Sequence, residues 1–316
     1  TETMLYVLRN LPPGLVAGVT SVGTDGEGRD LVTGTHKPEI YLRKGTVFAT
    51  AEKYYAARKL SAEILAVDSA STAAGRIVTA RALTGGTAVI SGPPTTQALA
   101  RWISSLEGYG VGFTLVDGAL GRVSSASPTV SESLILTTGA ALSADMDTLI
   151  RETGYAVRKI TLPIAERCGN SDPDRLSGGL WTVDRSGIWT AISGYPAFTD
   201  GIVLPEGPGN IFLAGALTER VASLLERAGK GGERNVIVAD FTKIFLSLRA
   251  YSAFLRAGWR ISVLRKSELT GITVNPVSPD GFRLDSRVLR ERLAAETGLP
   301  VYDIMSDKSI GFVEAL

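Results

Sequence analysis

The chain has 316 residues, enough for about two domains of ordinary size, and 44% of them are apolar, so substantial cores can form. Its 33 basic and 32 acidic residues leave a net charge of +1, which gives no pull toward nucleic acid or an acidic membrane surface. A single cysteine, Cys168, and a single histidine, His36, rule out an internal disulfide and a zinc site of several His or Cys ligands.

Taken in chain order, residues 1–10 read as a helix with Met4, Leu5, Leu8 and Leu11 on one face, stopped by Pro12-Pro13-Gly14. Leu15 to Val22 is a buried strand that runs into the loop GTDGEGRD. Glu39 to Leu42 and Thr46 to Ala49 flank Arg43-Lys44-Gly45 and predict a hairpin. Ala51 to Leu60 is helical. Arg76 to Leu83 and Thr87 to Ser91 flank Thr84-Gly85-Gly86 and predict a second hairpin. Pro93-Pro94 opens a helix to about Gly108, with Ala98, Trp102, Ile103 and Leu106 as its apolar face. Strands follow at 113–116 and 134–138, then a helix from Ala144 to Thr153 with Ser143 as its N-cap.

The stretch ERCGNSDPDRLSGG, Glu166 to Gly179, is polar and rich in turn residues, and marks a linker. After it, LWTVDRSGIWTAISG predicts a hairpin turning at Asp184 to Gly187. Strands at 210–215 and 235–240 are each followed by a helix. A strand at 261–264, an amphipathic helix at 283–297 and a strand at 301–304 complete the chain. Such alternation predicts an α/β fold with a mostly parallel sheet and right-handed crossovers. The expected organisation is a domain over 1–165 with hairpin insertions, a linker over 166–179 and a smaller α/β domain over 180–316.

In open α/β sheets ligands bind beyond the carboxyl ends of the strands. Phe113-Thr-Leu-Val-Asp117 has the form of a Walker B strand, whose terminal acid orients Mg²⁺ or its water beside nucleotide phosphates. An Asp at this point also serves as a simple turn cap. Asp25, Gly26 and Glu27 lie in the glycine-rich loop after the neighbouring strand, which suits either a metal-contact loop or a solvated turn. Lys37 suits a phosphate contact or a solvated lysine. His36 suits a base or a hydrogen-bonding surface residue, and a Ser-His-Asp triad would have to use it. Asp240 suits a second site or a helix cap. A phosphate site of this type needs G-x-x-x-x-G-K-[ST] between a strand and a helix, and no such run occurs in the 316 residues. The opening Thr1-Glu2-Thr3 stands where the hydroxyl residue of that motif would start its helix, so the strand and loop are expected upstream of residue 1.

The segments VAGVTSVGTDGEGRDLVTGTHKPEIYLRKGTVFATAE (16–52), RALTGGTAVISGP (81–93), LVDGALGRVSSASPTVSESLILTTGAALSADMD (115–147) and VNPVSPDGFRLD (274–285) resemble the KamB-type family, the small reactivating-factor subunit of lysine 5,6-aminomutase. The likeness is collinear over nearly the whole chain and densest in 16–147. More distantly, the strand-Asp-Gly-Ala pattern is similar to the dethiobiotin-synthetase branch of P-loop NTPases.

The resemblance implies an ATP-dependent, chaperone-like factor of P-loop NTPase fold. Its partners would be a MutS-like ATPase subunit and an adenosylcobalamin-dependent aminomutase whose damaged cofactor must be replaced. It implies ATP and Mg²⁺ as cofactors. Asp117 and Asp25 would be the catalytic acids. Asp25, Asp117 and Thr1 would be the metal positions, with Thr1, Gly26, Glu27, Lys37 and Gly118 on the nucleotide. The alternatives are a dethiobiotin-synthetase-like ATP-dependent ligase and a non-catalytic module that docks on a partner. No nucleic-acid or membrane partner is expected, and the cysteine usage fits a cytoplasmic, reducing setting.

Overall fold

Met4, Val7 and Leu8 are buried along one side of α1 (Glu2–Asn10), and Leu5 and Leu11 pack against the same cluster, as their spacing requires. This helix opens the computed structural model, which describes residues 2–22, 39–118, 126–165, 176, 178–184, 188–193, 204, 209–228 and 234–306. The chain divides into two units, 1–131 with 304–316, and 132–303.

The first unit continues with β1 (Ala17–Ser21), β2 (Ile40–Leu42), β3 (Val47–Ala51), α2 (Glu52–Ala56), β4 (Ala62–Thr72), β5 (Gly75–Ala82), β6 (Gly86–Ala88), α3 (Thr96–Ser105) and β7 (Phe113–Asp117). One sheet has the order β4-β5-β3-β1-β7. In it β3, β1 and β7 are parallel, while β5 is antiparallel to both β3 and β4. Alternation sorts the side chains to two faces. Val19, Phe48, Val78 and Ala80 pack with Met4 and Leu8 of α1, whereas Val47, Ala49 and Ile77 pack with Leu99 and Trp102 of α3. The Trp102 indole N–H donates to Thr79 Oγ1 at 3.0 Å, which anchors α3 to its face of the sheet.

Neither hairpin expected in this unit forms. The turn at Arg43–Thr46 exists, with Gly45 at φ +91° and Thr46 N donating to Arg43 O. The strands beside it part company, because β2 pairs with β6 (Ile40↔Ala88, Leu42↔Gly86). All five residues of β3 are buried, which suits a central strand covered on both faces. Its two edges are taken by β1 and β5, so none is left for β2. The hairpin that does form joins β4 to β5 through Ala73-Ala74.

The second unit comprises β8 (Ser133–Gly139), α4 (Met146–Ile160), β9 (Leu180–Val183), β10 (Trp189–Ser193), β11 (Gly209–Leu213), β12 (Leu217–Thr218), α5 (Glu219–Ala228), β13 (Arg234–Val238), β14 (Ile244–Phe245), α6 (Leu248–Arg256), β15 (Trp259–Val263), β16 (Glu268–Asn275), α7 (Ser286–Thr297) and β17 (Val301–Asp303). The expected β9–β10 hairpin is present. One sheet has the order β10-β9-β11-β13-β15, with β11, β13 and β15 parallel. A second, wholly parallel sheet has the order β17-β16-β8, and β12 and β14 form a short parallel pair.

Helix α4 belongs to two cores at once. Its Tyr155 joins Val221 and Leu225 of α5, Phe254 of α6 and the inner residues of β11, β13 and β15. Its Leu149, Ile150 and Val157 join Leu136 of β8, Ile272 and Val274 of β16, and Leu289 and Leu293 of α7. Asp145 caps this helix, accepting from Thr148 N at 2.9 Å. Ser143, the expected cap, instead accepts from Asp145 N at 3.0 Å.

These pairings set the division of the chain. The expected linker at 166–179 lies almost wholly outside the described residues, and the two units part at Ser131/Glu132. The reason is that β8 pairs with β16 along its whole length, through one register shift between Leu269 and Gly271, with Leu136 opposite Ile272 and Gly139 opposite Asn275. Residues 132–165 therefore belong with the C-terminal half, and the second unit is the longer one. The fold is α/β as expected, but its two five-stranded sheets mix parallel and antiparallel strands.

Candidate functional site at a sheet edge

Because β3, β1 and β7 run parallel, their carboxyl ends lie along one edge of the first sheet. The register puts Ser21 opposite Asp117, and Val22 N donates to Asp117 O at 3.0 Å. The chain therefore leaves the sheet at Val22 and at Gly118 side by side. Asp117 is part-buried and Gly118 exposed. The other candidate residues, Thr1, Asp25, Gly26, Glu27 and Lys37, lie outside the described residues, as do His36 and Cys168.

The segment after β6 crosses this edge and supplies a polar floor. Thr50 Oγ1 donates to Val89 O at 2.8 Å and accepts from Ser91 N at 3.1 Å. Ser21 Oγ donates to Ile90 O at 3.0 Å, and Thr20 Oγ1 to Ala49 O at 3.3 Å. Thr20 and Thr50 are buried, and these bonds meet the cost of burying their hydroxyls, while the buried Ser91 joins the floor through its backbone N–H. Gly92 makes the crossing possible. A Cβ there would stand 2.1 Å from Thr20 Oγ1 and 2.2 Å from Ser21 O. This floor is not legible in the sequence, where Thr87 to Ser91 reads as a hairpin strand and Pro93-Pro94 as the opening of a helix.

Among the described residues two acids stand at the ends of parallel strands here, Asp117 closing β7 and Glu52 following β3. Glu52, the first residue of α2 after β3, is held by Arg76. Its Oε1 accepts from Arg76 Nε at 2.9 Å and Nη2 at 2.6 Å, and its Oε2 from Arg76 N at 2.9 Å. Those hydrogen bonds keep the Glu52 carboxyl below the usual carboxylate range. Glu52 is thus committed to a structural pair, and Asp117 is the acid that the described residues place at the β1–β7 end. In the second unit Asp240 accepts from Thr242 N at 2.9 Å and starts a short helical turn at Phe241–Lys243, the capping role already open to it in the sequence.

Among the described residues no three His, Cys, Asp or Glu side chains gather as a metal site would require. No helix among them is long and apolar enough to cross a membrane. Set against known protein families, characterised proteins and solved structures, the chain has no significant match. Fold and edge together define it as an α/β protein of two units with mixed sheets, carrying an acid at the carboxyl end of a parallel strand.

Proposed function

We propose that this chain is an ATP-dependent reactivating factor for an adenosylcobalamin-dependent aminomutase, working with a MutS-like ATPase subunit and binding ATP-Mg²⁺ at the carboxyl edge of β1 and β7. The observation that carries the reading is the register of these strands, with Ser21 opposite Asp117. It brings the exits toward the glycine-rich segment holding Asp25, Gly26 and Glu27, and toward Gly118, to one point of the edge. That is where a P-loop NTPase architecture keeps its Mg²⁺ and phosphates.

The donor chemistry fits in part. Mg²⁺ takes hard oxygen ligands and often keeps its waters, which a strand-end carboxylate and an adjacent serine hydroxyl suit. Bound there, Mg²⁺ would neutralise charge on the β- and γ-phosphates. Asp117 would orient that ion or its water, and the 23–37 segment would act as the switch that senses the γ-phosphate.

Calorimetry of the full-length protein with ATP and Mg²⁺ tests the reading, followed by ATPase assays with and without the aminomutase. Binding, with turnover stimulated by the aminomutase, is the expected result. Absence of nucleotide binding would leave a docking module, and turnover that requires a small carboxylic acid would indicate the ligase.

A further inference from the structure

A cleft of about 750 Å³ opens in the second unit between α4 and α6. Its walls carry three arginines, Arg151 from α4 and Arg249 and Arg256 from α6, against one acid, Glu152. Arg249, Ser252 and Arg256 follow an i, i+3, i+7 spacing, which places them on one face of α6. Arg151 donates to Thr148 Oγ1 at 3.2 Å and stands 3.9 Å from Glu152. Among the described residues neither Arg249 nor Arg256 forms an ion pair, although both border the same concavity.

The wall between the helices is fixed in place. The Tyr155 hydroxyl donates to Leu246 O at 2.6 Å, tying α4 to the segment that leads into α6. Ser247 Oγ donates to Glu219 at 2.6 Å and caps α6 by accepting from Ala250 N at 3.2 Å. The arginines thus project from two helices whose spacing is held by hydrogen bonds, which lowers the ordering cost of binding.

We propose that this cleft binds a phosphorylated small molecule, with the phosphate held by Arg249 and Arg256. A guanidinium presents a planar fork that matches phosphate oxygens in pairs, and it stays charged at every working pH. Three guanidinium groups stand against the carboxylates of Glu152, which lines the cleft, and Glu219, bonded to the lining Ser247, so the wall keeps a net positive charge that attracts a phosphate monoester. The volume lies within the range of about 300–1,000 Å³ usual for small-molecule sites, so the cleft has room for the organic part of an ester beside Leu246 and Leu248.

Calorimetry of the whole chain with phenyl phosphate as the probe tests this. Binding is expected in the wild type, strengthening as the pH rises through about 6, where the monoester takes its second charge. Arg249→Ala/Arg256→Ala should weaken it at least about tenfold, the scale of a lost charge-assisted phosphate contact. Arg101→Ala/Arg287→Ala, with the same change in net charge elsewhere, should leave it within about twofold. Asp117→Asn should leave it unchanged, which separates this cleft from the proposed nucleotide site. Arg249→Lys/Arg256→Lys, with charge kept and the fork removed, should bind with intermediate strength. Thermal melting of each variant checks the fold. The proposal is overturned if phenyl phosphate fails to bind, if both double alanine variants lose affinity equally, or if a hexaglutamate peptide binds and the monoester does not.

Discussion

Asp117 and Glu52 both stand at the carboxyl end of a parallel strand at the same edge, and their surroundings separate them. Glu52 is gripped through both oxygens by Arg76, while Asp117 lies beside the point where the chain exits β1. Asp117→Asn keeps the size and shape of the side chain, so its urea midpoint should match the wild type. Under the proposed function, Mg²⁺-dependent nucleotide turnover should fall about 10- to 100-fold in this variant, the usual effect of removing a group that orients a metal's ligands. A variant that loses stability and keeps turnover would make Asp117 a structural cap. Gly92 gives a residue-scale test of the floor beside it. Gly92→Ala drives a methyl group against Thr20 Oγ1 and the Ser21 carbonyl, so the segment must shift. The expected loss is about 1–3 kcal/mol of unfolding free energy, measured by urea denaturation.

At the scale of elements, α4 joins two cores of the second unit. Tyr155 is its contact with the larger sheet, packed edge-on against Tyr251 at 5.3 Å and bonded to Leu246 O. Tyr155→Phe leaves that carbonyl without its donor and should cost about 1–3 kcal/mol in a denaturant titration. Burial, chiefly, pushes the Tyr155 hydroxyl well above its ordinary value, with Tyr251, Glu152 and Glu219 adding to the shift. The folded state therefore holds this proton more tightly than the unfolded chain does. The stabilisation is complete below the unfolded value of about 10 and is lost as pH rises from there through the raised folded value. Burial draws the Lys159 ammonium the other way, so it works in the opposite sense. Comparing wild type with Tyr155→Phe isolates the tyrosine: urea midpoints measured from pH 8 to 11 should fall more steeply in the wild type.

For the whole molecule, the division at Ser131/Glu132 has a direct consequence. A fragment spanning 132–303 keeps β8 on β16, α4 against α7, and the ion pairs Arg158–Glu296 and Arg292–Asp147. A fragment starting at 180 loses β8 and α4 together. It exposes one edge of β16 and uncovers Ile272, Val274, Leu289 and Leu293, all fully buried in the intact unit. The first fragment should give a dispersed NMR spectrum and a cooperative melt. The second should aggregate or melt without cooperativity, because each uncovered aliphatic side chain forfeits about 1.5–3 kcal/mol.

Local chemistry by itself determined most of the elements. The spacing of Met4 and Leu8 marked α1, the apolar run before Asp117 marked β7, and the turn residues of 184–187 marked the β9–β10 hairpin. It also picked out Asp117 as a strand-end acid, because an acid after four mostly apolar strand residues stands out in the sequence alone. Only the tertiary structure decided which edges meet. Two turns that read as hairpins lie between strands that pair elsewhere, and β16, unmarked in the sequence, joins β8 across more than a hundred residues. The polar floor under the β1–β7 edge is likewise non-local, built from Thr20, Ser21, Thr50 and Ser91. Helix and turn propensities act over a few neighbours, so they can be read from the sequence. Strand pairing is a competition among all the edges in the chain, won by the arrangement that buries both faces of β3 and seats α4 between two sheets.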